Sequence, residues 1–235
     1  MGLTVRAADA KYAFAALFMS RVLTNSTRVS KMKIDTRVEK ERPIMAIKGE
    51  RTRESIIHES YTLFAEKGFK QVTMKDVCEV TGMSRGGLYS HFSGTDKIFE
   101  AVLKKITKEN SMDFQREIEK GICAVEILKK ALDCMEEEMK HPEDSLSMAL
   151  YEYAETVNTD VMERLNRNAK EKWRMLIRYG IKRGEFREVN IDELVNVIMY
   201  SYQGIRMWSR IIPMKPKTIR SITDHIRKQL TGGQK

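Results

Sequence analysis

Apolar positions along most of this chain recur every three or four residues, the spacing of a helix with one buried face. Between 51 and 67 they fall at Ile56, Ile57, Tyr61, Leu63 and Phe64; Gly68 ends the run, and Phe69 and Val72 close over the core of the next two helices. Those two have shorter faces, Met74, Val77, Cys78 and Val80, then Leu88 and Phe92. A longer helix is predicted from Thr95, with Ile98, Phe99, Val102, Leu103 and Ile106 turned inward. Beyond Asn110 the same period predicts helices near 111–120, 124–140, 143–157, 161–183, 191–211 and 216–230. Their breaks are Gly121, His141 with Pro142, Asn158 to Asp160, Gly184, and Pro213 with Pro216. No stretch alternates as a strand would. The expected fold class is all-α, a three-helix N-terminal unit followed by a helical C-terminal domain.

The stretch from Thr73 to Phe92 carries the sharpest local chemistry. Thr73 is placed to cap the first short helix, with Asp76 reaching back as in a capping box and Val72 and Val77 in the relation of a hydrophobic staple. Ser84, with Met83 and Leu88, repeats the device for the second. Between them Gly82 can take the left-handed conformation that ends one helix and redirects the chain. This is a helix-turn-helix. Gly86 and Gly87 then sit in the first turn of the second helix, each costing about 1 kcal/mol relative to Ala. Such bare backbone suits a helix end that must approach something closely, and unpaired N–H groups there favour phosphate. Arg85, Tyr89, Ser90 and His91 point away from the Leu88/Phe92 face. Arginine can take guanine bidentately, and the others can bind phosphate oxygens. The competing reading is a small helical hairpin whose polar face is merely solvated.

Residues 53–103 resemble the N-terminal DNA-binding domain of the TetR family of transcriptional regulators. The matching positions are Ile56-Ile57, Leu63 to Phe69, Thr73, Asp76-Val77, Gly82-Met83-Ser84, Gly86, Leu88-Tyr89 and His91-Phe92. The resemblance implies a three-helix domain whose third helix, Ser84 to His91, lies in the major groove. It also implies a helical C-terminal domain that dimerises and binds a small effector, with a fourth helix from Thr95 joining the two. The segment 184–194 is similar to the family's approach to its penultimate helix. Two departures matter: Gly87 stands where the family often has Thr, Ala or Ser, and Thr95 where a phosphate-binding Lys is common. Lys97 or the N-terminus of that helix would have to serve for that Lys. The residues assigned to DNA are therefore Thr73, Lys75, Ser84, Arg85, Gly86, Gly87, Tyr89, Ser90, His91 and Lys97.

Charge changes this picture little. The formal net charge is +9, but residues 1–44 hold nine Lys/Arg against four Asp/Glu, so more than half of the excess lies in the leader. That leader is expected to be disordered or an over-extended translation start, with Met45 or Met32 the true one. The other reading is a basic arm, with Arg28, Lys31, Lys33, Arg37, Lys40 and Arg42 on phosphates. The domains expected are thus 1–44 leader, 45–94 helix-turn-helix and 95–235 effector-binding and dimerisation. Cys78, Cys123 and Cys134 have no metal-type spacing and read as small buried residues of a cytoplasmic protein. No run of about 18 apolar residues occurs, so no membrane partner is expected.

In the C-terminal domain, Leu194, Val195, Ile198, Met199, Tyr202, Ile205, Met207 and Trp208 cover more than one helical face, as on a helix packed against both its own core and a partner. A homodimer through the last two helices is expected, since a palindrome reader needs two-fold symmetry; the competing reading is a fully internal helix. Met148, Tyr151, Trp173, Tyr200 and Gln203 are the candidates for an effector pocket, with Tyr153, Met175 and Trp208 as further apolar material. The bland alternative is that each is ordinary core.

Catalytic motifs are missing from the sequence. Glu138 and His141 make one E-x-x-H, whereas a di-metal bundle needs two with two further carboxylates. No P-loop, dinucleotide-binding glycine motif or nucleophile elbow occurs. The expectation is a non-enzymatic, cofactor-free and metal-free regulator of transcription, a repressor acting as a homodimer on a DNA operator under an unidentified small-molecule effector. The alternative of another class is a helical binding protein that keeps the fold without specific DNA recognition.

Overall fold

A capping box, a staple and a glycine turn fix the first compact unit, and long amphipathic helices build the rest. The computed structural model describes residues 44–109 and 114–232, among which ten α-helices and one 3-10 turn occur and no strand. The N-terminal unit is α1 (Ile44–Lys67), α2 (Met74–Thr81) and α3 (Arg85–His91). The helix α4 (Thr95–Glu109) packs along α1. There follow α5 (Phe114–Glu119), α6 (Ala124–Lys140), a 3-10 turn at Pro142–Asp144, α7 (Ser147–Thr156), α8 (Thr159–Lys182), α9 (Ile191–Trp208) and α10 (Pro216–Thr231). In the C-terminal bundle α10 lies on α6, α8 on α9, and α5 on α8. The short α7 touches α8, α9 and α1, so it stands between the bundle and the N-terminal unit.

One apolar cluster runs from Ile56 to Leu230 without a break, and the two units therefore share a core. Val77 and Leu88, the central residues of α2 and α3, are fully buried. Each contributes about 1.5–3 kcal/mol by leaving water.

Several expectations need correction. The first helix begins at Ile44, before the apolar periodicity becomes visible at 51. The predicted helix 143–157 is broken: Pro142 opens a 3-10 turn, the hydroxyl of extended Ser145 accepts the Ser147 N–H at 3.1 Å, and α7 starts only there. The helix α9 stops at Trp208 rather than at 211, because the N–H groups of Ile211 and Ile212 both turn back to the Trp208 carbonyl ahead of Pro213. Val80, assigned inward, is 44% exposed on the far side of α2. Of the cysteines, Cys123 is exposed in front of α6, whereas Cys78 and Cys134 are half-buried and pack against the core. Expectations for residues 1–43 lie outside the described residues. Among those described, no helix is long and apolar enough to cross a membrane.

Candidate nucleic-acid interface

The turn between α2 and α3 is built as its residues dictate. The Thr73 hydroxyl accepts the Asp76 N–H at 3.2 Å, and an Asp76 carboxylate oxygen accepts the Thr73 N–H at 2.8 Å, so two helix-end donors are satisfied reciprocally. Lys67 at the end of α1 donates to the same carboxylate at 2.6 Å. This bond, followed by those from Thr73, holds the Asp76 carboxyl well below the usual carboxylate range. Gly82 takes φ +66°, a conformation that side chains rarely adopt, and turns the chain into Ser84. Ser84 accepts the Gly87 N–H at 3.2 Å and so fixes the start of α3. A methyl group at Gly87 would stand 3.2 Å from that hydroxyl, which gives the glycine a structural reason beside any closeness to DNA.

The helix α3 buries Leu88 and turns Arg85, Gly86, Tyr89 and Ser90 to solvent. The Arg85 guanidinium lies 6.0 Å over the Tyr89 ring, so the candidate base-reading cation is partly ordered before any DNA arrives. Ser90 spends its hydroxyl on the Gly87 carbonyl at 2.7 Å, and His91 is half-buried. The end of α3 is held by Arg53 of α1, which donates to the His91 carbonyl at 2.6 Å and lies 3.9 Å over the Phe92 ring. Nothing in the sequence near Arg53 signals that role, because the contact spans 38 residues.

Of the remaining DNA candidates, Lys75 is exposed on α2 and 3.7 Å from Glu79. Lys97 is exposed on the first turn of α4 and bonded to both Glu100 oxygens, at 2.9 and 3.1 Å. Those bonds raise its pKa and leave it fully charged. A solvent-exposed pair at this spacing is weak, so a phosphate can displace Glu100.

The reading unit is anchored to the bundle at one junction. Phe64, Phe69, Phe99 and Tyr153 pack as an aromatic group with ring centroids 4.8–6.1 Å apart. Arg210, just beyond α9, donates to the carbonyls of Ala65 and Glu66 at 2.8 and 3.0 Å and closes the C-terminus of α1. Tyr61 donates to the Asp144 carbonyl at 2.8 Å, the Lys70 N–H to Glu152 at 2.8 Å, and Lys70 Nζ to Glu155 at 2.6 Å.

The five effector candidates are not brought together. Tyr151 and Tyr200 are 49% and 63% exposed. Trp173 is buried edge-on against Phe114, 5.4 Å between centroids. Met148 is half-buried beside Ser147, whose hydroxyl donates to Gln203 at 3.3 Å. Trp208, expected inside, is 61% exposed, because α9 turns only one face to the bundle. The polar centre of the bundle lies elsewhere: Tyr202 and Arg206 of α9 converge on Glu138 of α6, Tyr202 through its hydroxyl and Arg206 by a 3.6 Å ion pair. Glu138 thus faces inward while His141 bonds Glu143 at the surface, so the E-x-x-H pair is split. His141, Glu143 and Asp144 could offer three donor atoms within 4.8 Å of one another, the first two exposed and Asp144 half-buried.

The family model for bacterial regulatory proteins of the tetR family matches residues 56–102, which span this helix-turn-helix, the second half of α1 and the first half of α4. The chain is 31% identical to the uncharacterized HTH-type transcriptional regulator YfiR of Bacillus subtilis over 139 residues, 57% of this chain and 67% of that protein. This chain belongs to the TetR family. It is a DNA-binding transcriptional regulator, and the relatives it matches are regulators of transcription rather than enzymes. It is also 21% identical to the HTH-type transcriptional repressor KstR2 of Mycolicibacterium smegmatis over 168 residues, 70% of this chain and 80% of that one. The same fold is found in a TetR transcriptional regulator from Chloroflexus aurantiacus, at TM-score 0.61 and 22% identity, covering 78% of this chain and 98% of that one. A TetR family regulator from Agrobacterium tumefaciens shares it at TM-score 0.62 and 14% identity, covering 78% and 99%.

Proposed function

We propose that this TetR family member is a ligand-responsive repressor that binds a palindromic operator as a homodimer, with 45–94 the reading domain and 95–235 the effector and dimerisation domain. The observation that carries the reading is α3, whose ends are fixed by Ser84 and Arg53 while Arg85 and Tyr89 face outward. Arg85 reads bases, and Lys75, Tyr89 and Lys97 meet phosphates. The repressor sense is supported by relatives such as the KstR2 repressor.

The dimer reading is supported by a stripe on α9 and just after it. Val197, Tyr200, Trp208 and Ile211 are exposed, at 45%, 63%, 61% and 80%, and recur at helical spacing with Gly204 between them. A second copy applied to this stripe buries the same residues on both sides, as two-fold contacts do. A palindromic operator requires the two α3 helices of such a dimer to stand about 34–36 Å apart, one turn of DNA. An effector releases the operator by binding more tightly to a different spacing, and linkage requires the operator to weaken the effector by the same factor.

The test is a gel shift of the full-length chain on DNA from upstream of its own gene. Arg85→Ala should cost roughly 1–3 kcal/mol on that operator and little on random DNA. Equal losses on both would remove Arg85 from base reading, and no binding at all would favour a helical binding protein without operator recognition.

A further inference from the structure

Glu100 stands between the DNA face and the effector domain, and a single oxygen of it serves both. Its Oε1 accepts Lys97 Nζ at 2.9 Å from one side and the Tyr153 hydroxyl at 3.0 Å from the other. The two donors differ in freedom. Lys97 is about half exposed on the first turn of α4, and its pair with Glu100 is of the weak surface kind. Tyr153 is 2% exposed, its ring wedged against Phe69 and Phe99 at 5.1 and 5.2 Å, so its hydroxyl cannot follow Glu100 outward. Burial, then the bond to Glu100, pushes the Tyr153 phenol up to about 12, and it remains a donor at neutral pH.

When a DNA phosphate takes Lys97, the Glu100 carboxylate loses its counter-charge one helical turn from a second anion. A carboxylate left to swing would either recapture Lys97 or repel the phosphate. We propose that Tyr153 is a positioning residue for DNA binding, its hydroxyl pinning Glu100 to the effector-domain side so that Lys97 can be surrendered to the backbone. This rests on the reading of Lys97 as a phosphate contact. Tyr153 belongs to α7, the helix that also carries Met148 and Tyr151, so a displacement of α7 withdraws the hydroxyl and returns Lys97 to Glu100. The effector domain thereby acts on the charge of the DNA face as well as on its geometry.

The experiment measures binding of the full-length chain to a labelled random-sequence duplex by fluorescence anisotropy over a range of salt, since a phosphate contact is independent of sequence. Lys97→Gln should weaken binding and lower the salt slope by about 0.9, the share of one contact. Tyr153→Phe keeps the ring and should weaken binding about fivefold, a fraction of one hydrogen bond to a charged group. Glu100→Gln should tighten binding, and in that background Tyr153→Phe should cost nothing further. A Tyr153→Phe loss of the same size in the wild-type, Glu100→Gln and Lys97→Gln backgrounds would mark a structural effect and overturn the proposal, as would no loss in the wild type. Lys97→Gln with unchanged affinity and salt slope would instead remove the phosphate reading, and the proposal with it.

Discussion

Replacing Arg206 with methionine probes the buried charge at the centre of the bundle. Arg206 is 4% exposed, 3.6 Å from Glu138 and 4.8 Å over the Tyr202 ring, and Glu138 is itself only 15% exposed. Methionine preserves most of the packing volume, so the change isolates the charge. Removing one partner of a buried pair costs about 3–5 kcal/mol, because the other is left charged in a poor solvent. The long separation and the partial exposure of Glu138 place this case at the low end, near 3 kcal/mol. For a chain of this size that lowers Tm by about 6–12 °C. Replacing both residues, Glu138→Gln with Arg206→Met, removes both charges and leaves Tyr202 an amide oxygen to donate to. The double variant should recover to within about 1 kcal/mol of wild type. Urea and thermal unfolding of the four proteins, followed by circular dichroism, give the coupling directly. An Arg206→Met protein as stable as wild type, or a double variant that loses the sum of the two single losses, would refute the view that the pair exists to satisfy its own charges.

Asp76 sets an acid limit on the reading unit. Its carboxyl is held below its unfolded value by Lys67 and Thr73, so its contribution is present above about pH 4 and lost as pH falls through and below that value. Wild type and Asp76→Asn should therefore differ in urea stability near neutrality and converge in acid; a difference that persists unchanged at low pH would show that something other than the carboxylate is responsible. Trp208→Glu, on the exposed α9 stripe, should turn the dimer into monomer in sedimentation experiments without lowering the monomer's helix content, and an unchanged mass would move the partner surface elsewhere. Gly87→Ala should leave stability within about 1 kcal/mol of wild type, since the gain in helix propensity offsets crowding of the Ser84 cap, while operator affinity in the gel shift reports whether the close approach matters.

The helix-turn-helix was legible because its determinants are local. Thr73, Asp76, Gly82 and Ser84 act within three residues of themselves, and their bonds take the form that their spacing implies. The helix at Ala124–Lys140 was readable for the same reason, an uninterrupted period between Gly121 and Pro142. What periodicity could not say was which of two apolar faces meets the core. Tyr200 and Trp208 look like core material by type, yet they lie outside because Val195, Ile198, Met199, Tyr202 and Ile205 already fill the inward side of α9. Arg53, Arg206 and Arg210 were not legible because each acts on residues 38 or more positions away, and an arginine in a helical pattern carries no mark of its distant partner.

Arg210 has a consequence for how changes at the α9 stripe should be understood. Its guanidinium is the clasp on the end of α1, while its neighbours Trp208, Ile211 and Ile212 are exposed beside the surface offered to a second copy. On the proposed dimer, the contact between two chains and the clasp on each reading unit would lie within the same few residues. A substitution of Arg210 itself would therefore act on the seating of α1 as well as on any association through the neighbouring stripe, whereas Trp208→Glu leaves the clasp in place. In such a dimer, a change along this short turn would alter the spacing of the two α3 helices while leaving Arg85 and Tyr89 in place.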